Sequence, residues 1–282
     1  MSERVQTWID GRPADSLPLP DRGLDYGDGL FETCAVVDGR VELLEAHLDR
    51  LARGCERLGL PMPERALLAA EMRALASGWA TAVLRLQLTR GTGGRGYAPP
   101  EAVRVRRLLT LSPWPEGLLR FDGQGARLRT CTLRLGHQPL LAGIKHLNRL
   151  EQVLAAREVQ AMGCDEGLLL DTEGHVIEGT RSNLFLIGDD GTLVTPELSR
   201  CGVAGVMRGA LMGCCAAAGI PCTVRPVTIE ALQGAAGLLL TNSLIGLRPV
   251  AELDGRPLPV SPLADRLRER LHAWLVGTEK RP

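Results

Sequence analysis

Apolar and polar positions alternate along Ala82–Arg90, with Leu84, Leu86 and Leu88 on one face and Arg85, Gln87 and Thr89 on the other. A period of two residues is that of a half-buried β-strand, and Val103–Leu111 is its expected partner. The period changes over Leu44–Leu58, where Leu44, His47, Leu48, Leu51 and Cys55 recur at helical spacing. Pro61 and Pro63 end that helix, and a second is predicted over Glu64–Ser77. Ahead of these, residues 3–41 divide into short strands and turns. Asp10-Gly11-Arg12-Pro13 is a turn, and Asp38-Gly39 between apolar runs is a two-residue hairpin signal.

At Pro113 the pattern lapses. Pro113 and Pro115 bracket Trp114, and the stretch from about 113 to 125 reads as a linker. The prediction is a smaller N-terminal domain, residues 1–115, and a larger strand-rich C-terminal domain, residues 116–282, which carries Lys145. The second domain opens with a strand over Ala126–Arg134 and a loop. An amphipathic helix follows from about Leu147 to Met162, with Leu147, Leu150, Val153, Leu154 and Ala161 as the apolar stripe. Strands are expected over Glu166–Asp171, His175–Glu178, Asn183–Ile187 and Gly237–Thr241. A helix follows Gly205, and a last one runs from about Ser261. The fold class is α+β.

Composition narrows the functions. The 282 residues suffice for two modest domains. Lys+Arg and Asp+Glu balance at 33 each, which argues against a nucleic-acid binder, and the nine aromatics argue against base stacking. No 18-residue apolar run suggests a membrane span. Met1-Ser2-Glu3-Arg4 lacks a signal pattern. The eight cysteines form no C-x-x-C pair and read as small core hydrophobes in a reducing compartment, which points to the cytoplasm.

Gly91-Thr92-Gly93-Gly94-Arg95-Gly96 satisfies G-x-G-x-x-G after a strand. A dinucleotide fingerprint must open a helix, and Tyr97-Ala98-Pro99-Pro100 opens none. A flexible Gly-rich substrate loop is the better expectation. The lysines are more informative: the 33 cations are 31 arginines and two lysines, Lys145 and Lys280. A guanidinium cannot lose its proton to act as a nucleophile or base, so a retained lysine points to a needed amine. Lys280 lies in a polar tail. Lys145 ends the apolar run Leu140-Leu141-Ala142-Gly143-Ile144, a setting that lowers an amine pKa by desolvation. An ordinary lysine near a helix start is the other reading.

A Schiff-base lysine needs an anion cradle, a partner for a ring nitrogen and a substrate pocket. Gly202-Val203-Ala204-Gly205-Val206-Met207-Arg208 leads into a helix and offers free N–H groups at a positive dipole end. Thr241-Asn242-Ser243 closes a strand with small polar donors. Glu178 could keep a pyridine nitrogen protonated, or be a solvated strand carboxylate, just as the Gly202–Arg208 segment could be an ordinary helix cap.

The segments GIKHLNRLEQVLAAREVQAMGCDEGLLLD, VIEGTRSNLFLI and GVAGVMR, with DRGLDYGDGLFET and HLDRL ahead of them, resemble the fold type IV pyridoxal-phosphate enzymes. That family holds branched-chain and D-amino-acid aminotransferases and 4-amino-4-deoxychorismate lyases. KHLNRLEQVLA and TRGTGGRGY look most like the lyases. The resemblance implies a two-domain fold type IV enzyme with the cofactor between the domains, working as a homodimer. It implies Lys145 as Schiff-base lysine and Glu178 on the pyridine nitrogen. Arg50, the N–H groups of Val206 and Met207, and Ser243 with its neighbour Asn242 would hold the phosphate. Tyr26, Glu32 and Thr33 would lie near the substrate. The implied reaction turns 4-amino-4-deoxychorismate into 4-aminobenzoate and pyruvate. Arg95 and Arg149 are candidates for the substrate's two carboxylates, Arg149 sharing a helix face with Lys145 if the helix starts early. An acidic residue at Glu32 also suits a D-amino-acid aminotransferase, which stays as the alternative. A non-catalytic relative using the fold for binding is a third.

Overall fold

The computed structural model describes residues 5–276, so Met1-Ser2-Glu3-Arg4 and Lys280 lie outside the described residues. The chain divides into two compact units: residues 1–118 with Ile144–Asn148, and 119–143 with 149–282.

The first unit contains β1 (Gln6–Ile9), β2 (Arg12–Pro13), α1 (Arg22–Tyr26), β3 (Gly29–Val37) and β4 (Arg40–Val41), then α2 (Leu44–Leu58), α3 (Arg65–Ala76), β5 (Thr81–Thr89) and β6 (Arg106–Pro113). The strands form a six-stranded antiparallel sheet in the order β2-β1-β6-β5-β3-β4. The predicted alternation in β5 holds: Leu84, Leu86 and Leu88 are fully buried, with Leu109 and Leu111 of β6 beside them. α2 and α3 supply Leu48, Leu51, Leu68 and Met72 to the same core. The opposite face, with Thr33, Arg85, Gln87, Leu108 and Thr110, is only half-buried or exposed. Asp38-Gly39 makes the β3–β4 hairpin with both residues at positive φ. The unit runs past the expected boundary at residue 115, because Trp114 Nε1 donates to the Leu118 carbonyl at 2.8 Å.

The second unit contains β7 (Ala126–Leu135), α4 (Leu150–Met162), β8 (Glu166–Asp171), β9 (Val176–Gly179), β10 (Asn183–Ile187), β11 (Leu193–Pro196), α5 (Val206–Ala217) and β12 (Cys222–Arg225). It continues through α6 (Ile229–Gln233), β13 (Gly237–Asn242), β14 (Gly246–Leu253), β15 (Arg256–Pro257) and α7 (Pro262–Val276). The strands form a nine-stranded mixed sheet in the order β12-β11-β10-β13-β14-β7-β8-β9, with β15 on β14. β8, β9 and β10 are buried throughout, so their sequences run apolar without alternation. Six of the eight cysteines are buried, in keeping with their expected role as small hydrophobes. Among the described residues, no helix is long and apolar enough to cross a membrane.

Two expectations are corrected. Lys145 does not belong with the C-terminal domain: Phe31 N–H donates to its carbonyl at 2.9 Å and Leu147 N–H to the Gly29 carbonyl at 3.0 Å, which ties residues 144–148 to the first unit. The helix after it begins at Leu150, three residues late, because Leu147 is engaged in that pairing. Its apolar stripe also faces outward, with Leu150, Val153 and Leu154 exposed and only Ala155 fully buried. The irregularity of β7 sets this phase. Its pairing with β8 breaks between Thr130 and Arg134, and Glu158 accepts the N–H groups of Thr132 at 2.6 Å and Leu133 at 3.1 Å. Ala155 and Val159 therefore meet the sheet side, where Cys131, Leu135 and Leu169 lie.

Candidate active site

Lys145 lies in extended chain. Its neighbour His146 forms a β-bridge with Leu30, so Lys145 stands opposite Phe31. Opposed residues share a sheet face, and the Lys145 ammonium sits over the Phe31 ring, 4.4 Å from its centroid. The Arg85 guanidinium lies over the same ring at 4.3 Å. Phe31 itself is buried. Nothing in the apolar pattern singled out Phe31, because only the strand pairing brings it under the lysine.

Glu32 points to the other face of β3, into the interior, which corrects its expected place near the substrate. It is 1% exposed and accepts from Arg50 Nε at 2.9 Å, from a second Arg50 nitrogen and from His47 Nδ1 at 2.6 Å. His47 and Arg50 lie one helical turn apart on α2, on the stripe that faces β3. Burial raises the Glu32 pKa, but the Arg50 charge and these hydrogen bonds outweigh it and hold the carboxyl at about 2. Burial also pushes His47 below its ordinary value, against the pull of Glu32. Glu32 thus fixes the orientation of Arg50.

In the second unit Glu178 lies on β9, 4% exposed, and accepts from Val203 N–H at 2.8 Å. Gly202 makes that approach possible, since its φ of +83° disfavours any side chain and a Cβ there would stand 2.7 Å from Ile177. The same loop pairs with Gly143, whose N–H donates to the Gly202 carbonyl at 2.9 Å and whose carbonyl accepts from Ala204 at 3.0 Å. Gly205 caps α5, and a Cβ there would stand 1.9 Å from Asn183 Oδ1. Asn183 in turn donates to the Val203 carbonyl at 2.9 Å. Val206 and Met207 open the helix, so their N–H groups lack intrahelical partners. The helix predicted to follow Gly205 is thus present. Asn242 accepts from the Leu244 and Ile245 N–H groups at 2.8 and 2.9 Å and donates to the Arg181 carbonyl at 3.1 Å, and Ser243 sits in the turn after it.

The remaining candidates scatter. Thr33 is half-buried opposite Arg85. Tyr26 is partly exposed and meets Tyr97 edge-on, ring centroids 5.5 Å apart. Arg95 is exposed in the Gly-rich loop, and no helix follows that loop. The loop is not slack: Arg22 donates to the carbonyls of Gly96 at 3.0 Å, Tyr97 at 2.9 Å and Ala98 at 3.2 Å. Arg149 is the N-cap of α4, so it shares no helix face with Lys145.

These features can be set against known proteins. The chain is 35% identical over 270 residues to an aminodeoxychorismate lyase of Vibrio harveyi, covering 94% of this chain and 99% of that one. It superposes on the crystal structure of a 4-amino-4-deoxychorismate lyase from Pseudomonas aeruginosa with a TM-score of 0.89 and 49% identity, covering 94% and 98%. A hypothetical aminotransferase from Mycobacterium tuberculosis, in its PLP-bound form, gives a TM-score of 0.83 at 28% identity over 97% of this chain and 100% of that one. The model of the amino-transferase class IV family matches residues 29–253. That span takes in β3 with Glu32, the lysine segment, Glu178 and the α5 cradle, and the chain belongs to the amino-transferase class IV family.

Proposed function

We propose that the chain is a pyridoxal-phosphate-dependent lyase that converts 4-amino-4-deoxychorismate to 4-aminobenzoate and pyruvate. The observation that carries this is the lysine. One of only two in the chain, Lys145 has its backbone paired to β3 and its amine set over Phe31. Near-complete coverage at 49% identity to a lyase structure favours the lyase over the aminotransferase.

The residues fit the cofactor. Gly205 lets Asn183 pack against the start of α5, which Val206 and Met207 open, and Glu178 is a buried carboxylate beside the same loop. Val206 and Met207 N–H groups, Arg50 and Ser243 would hold the phosphate, and Asn242 would shape the turn that presents Ser243. Glu178 would keep the pyridine nitrogen protonated, and Lys145 would carry the cofactor. Pyridoxal phosphate, when bound, supplies an electron sink for a carbanion. The Lys145 amine would take the proton from the substrate's C4. The C3–O bond then breaks, the enolpyruvyl group leaves and is protonated to pyruvate, and the ring becomes aromatic. Tyr26, Thr33, Arg95 and Arg149 remain candidates for the substrate side.

Two finer points belong to the same proposal. The outward stripe of α4 is assigned to a second copy of the chain, making a homodimer. Thiols at all eight cysteines fit the cytoplasm.

The test is direct. Purified protein with pyridoxal phosphate and 4-amino-4-deoxychorismate should release equal amounts of pyruvate and 4-aminobenzoate with no keto acid added. Borohydride should attach the cofactor to the peptide holding Lys145, and Lys145→Ala should show neither result. Dependence on a keto acid would replace the lyase with an aminotransferase. Failure to bind the cofactor at all would leave a non-catalytic relative.

A further inference from the structure

The half-open face of the first sheet holds a cation that the chain itself does not use. Arg85 stands on β5 opposite Thr33 and diagonal to Phe31. Among the described residues it makes no ion pair and donates no hydrogen bond; its guanidinium lies over the Phe31 ring. Its neighbours on the sheet are otherwise neutral: Thr33, Gln87, Leu108 and Thr110. Desolvation alone holds its pKa below the ordinary guanidinium value, with no carboxylate to compensate. A flat guanidinium resting on an aromatic ring keeps its N–H groups free to point outward in its own plane, the geometry that accepts a carboxylate with two parallel bonds.

Position gives this cation a meaning. Lys145 and Arg85 lie 4.4 and 4.3 Å from one ring centroid, so their heads are no more than about 9 Å apart. An α-amino acid carries its carboxylate on the carbon that bears the amine. In 4-amino-4-deoxychorismate the ring carboxylate lies across the six-membered ring from the amine-bearing carbon. We propose that Arg85 binds this distal ring carboxylate and so selects a cyclic amino acid over an α-amino acid. The proposal rests on the lyase reading and adds a specificity residue that composition, pattern and resemblance had not indicated. The Phe31 ring contacts both cations. Arg85 fixes the far end of the substrate while Lys145 meets the amine.

Product binding tests this apart from turnover. The probes are 4-aminobenzoate and aniline, which share the amine and ring and differ by the carboxylate. They are titrated calorimetrically into the cofactor-loaded protein. The wild type should bind 4-aminobenzoate at least tenfold more tightly than aniline, and Arg85→Met should lose that preference with cofactor absorbance unchanged. Should Arg85→Met not fold, Arg85→Gln takes its place with the same expectation, since it keeps a polar end group and removes the charge. In turnover, KM for 4-amino-4-deoxychorismate should rise at least tenfold while kcat falls less. A variant that keeps the wild-type preference for 4-aminobenzoate overturns the proposal. A wild type that binds neither compound and releases no pyruvate instead overturns the lyase reading itself.

Discussion

A carboxylate, an imidazole and a guanidinium packed together in the interior define the first unit at the level of single residues. Glu32 and His47 are each 1% exposed and Arg50 is 5% exposed, so none can recover its bonds from water. Removing the Glu32 carboxylate takes from the buried Arg50 charge and from His47 the bonds they make to it, at a cost of about 3–5 kcal/mol. Glu32→Gln should lower unfolding stability at pH 7 by about that amount, as measured by urea titration. A loss below about 1 kcal/mol would mean that Arg50 finds another partner. The sign of the pH dependence follows from the carboxyl, depressed from its ordinary 4.5 to about 2 in the folded chain. Its contribution is present above pH 4.5 and disappears as pH falls from 4.5 through 2. The gap between wild type and Glu32→Gln should therefore close across that window. Glu32 was legible as an acidic residue beside the substrate strand, but the side of the strand it faces depends on α2 packing against β3. His47 was visible only as a position on a helical stripe.

At the scale of elements, the Gly-rich segment after β5 shows how a side chain can restrain a loop. Arg22 sits at the start of α1, is 5% exposed, and spends its donors on three successive loop carbonyls and on Asp28. Asp21 beside it accepts from Gly23 N–H at 2.8 Å and from Thr89 Oγ1 at 2.9 Å, which fixes α1 against the end of β5. A hydrogen bond from a charged donor contributes about 1.5–3 kcal/mol, so losing even one raises the open population of the loop about tenfold or more. Arg22→Ala should speed native-state trypsin cleavage after the exposed Arg95 by at least that factor, followed by mass spectrometry of the fragment ending there. Unchanged cleavage would show that the loop is held by its own turns. The glycines announce a loop in any context; its restraint needed a partner seventy positions away in the chain.

For the molecule as a whole, neutrality and an outward apolar helix face point the same way. With 33 charges of each sign there is no net repulsion between copies. Leu150, Val153 and Leu154 expose 76%, 53% and 48% of their surface at i, i+3 and i+4 spacing. Burying a leucine side chain is favourable by about 1.5–3 kcal/mol, and a self-complementary apolar patch is what a twofold dimer requires. Sedimentation equilibrium should find the wild type at twice the chain mass and Leu150→Asp/Leu154→Asp at the single mass. A double variant that stays at twice the chain mass would move the interface elsewhere, and a monomeric wild type would remove the dimer.

Local chemistry determined much from the chain alone. The alternation in β5, the stripe of α2, the Asp38-Gly39 hairpin and the glycine-capped start of α5 each depend on a few neighbouring residues and backbone sterics, and all are present in the fold. The solitary Lys145 in an apolar run was informative for the same reason, since the chemistry of an amine does not depend on fold. Tertiary structure decided what depends on distant partners. It moved Lys145 to the first sheet through a backbone bond to Phe31, and it turned the α4 stripe outward because Glu158 had to satisfy the broken edge of β7. It buried Glu32 and left Arg85 exposed on the opposite face of the same sheet. Period two places residues on alternate faces of a strand, but which face is the core is set by the helices that cover it.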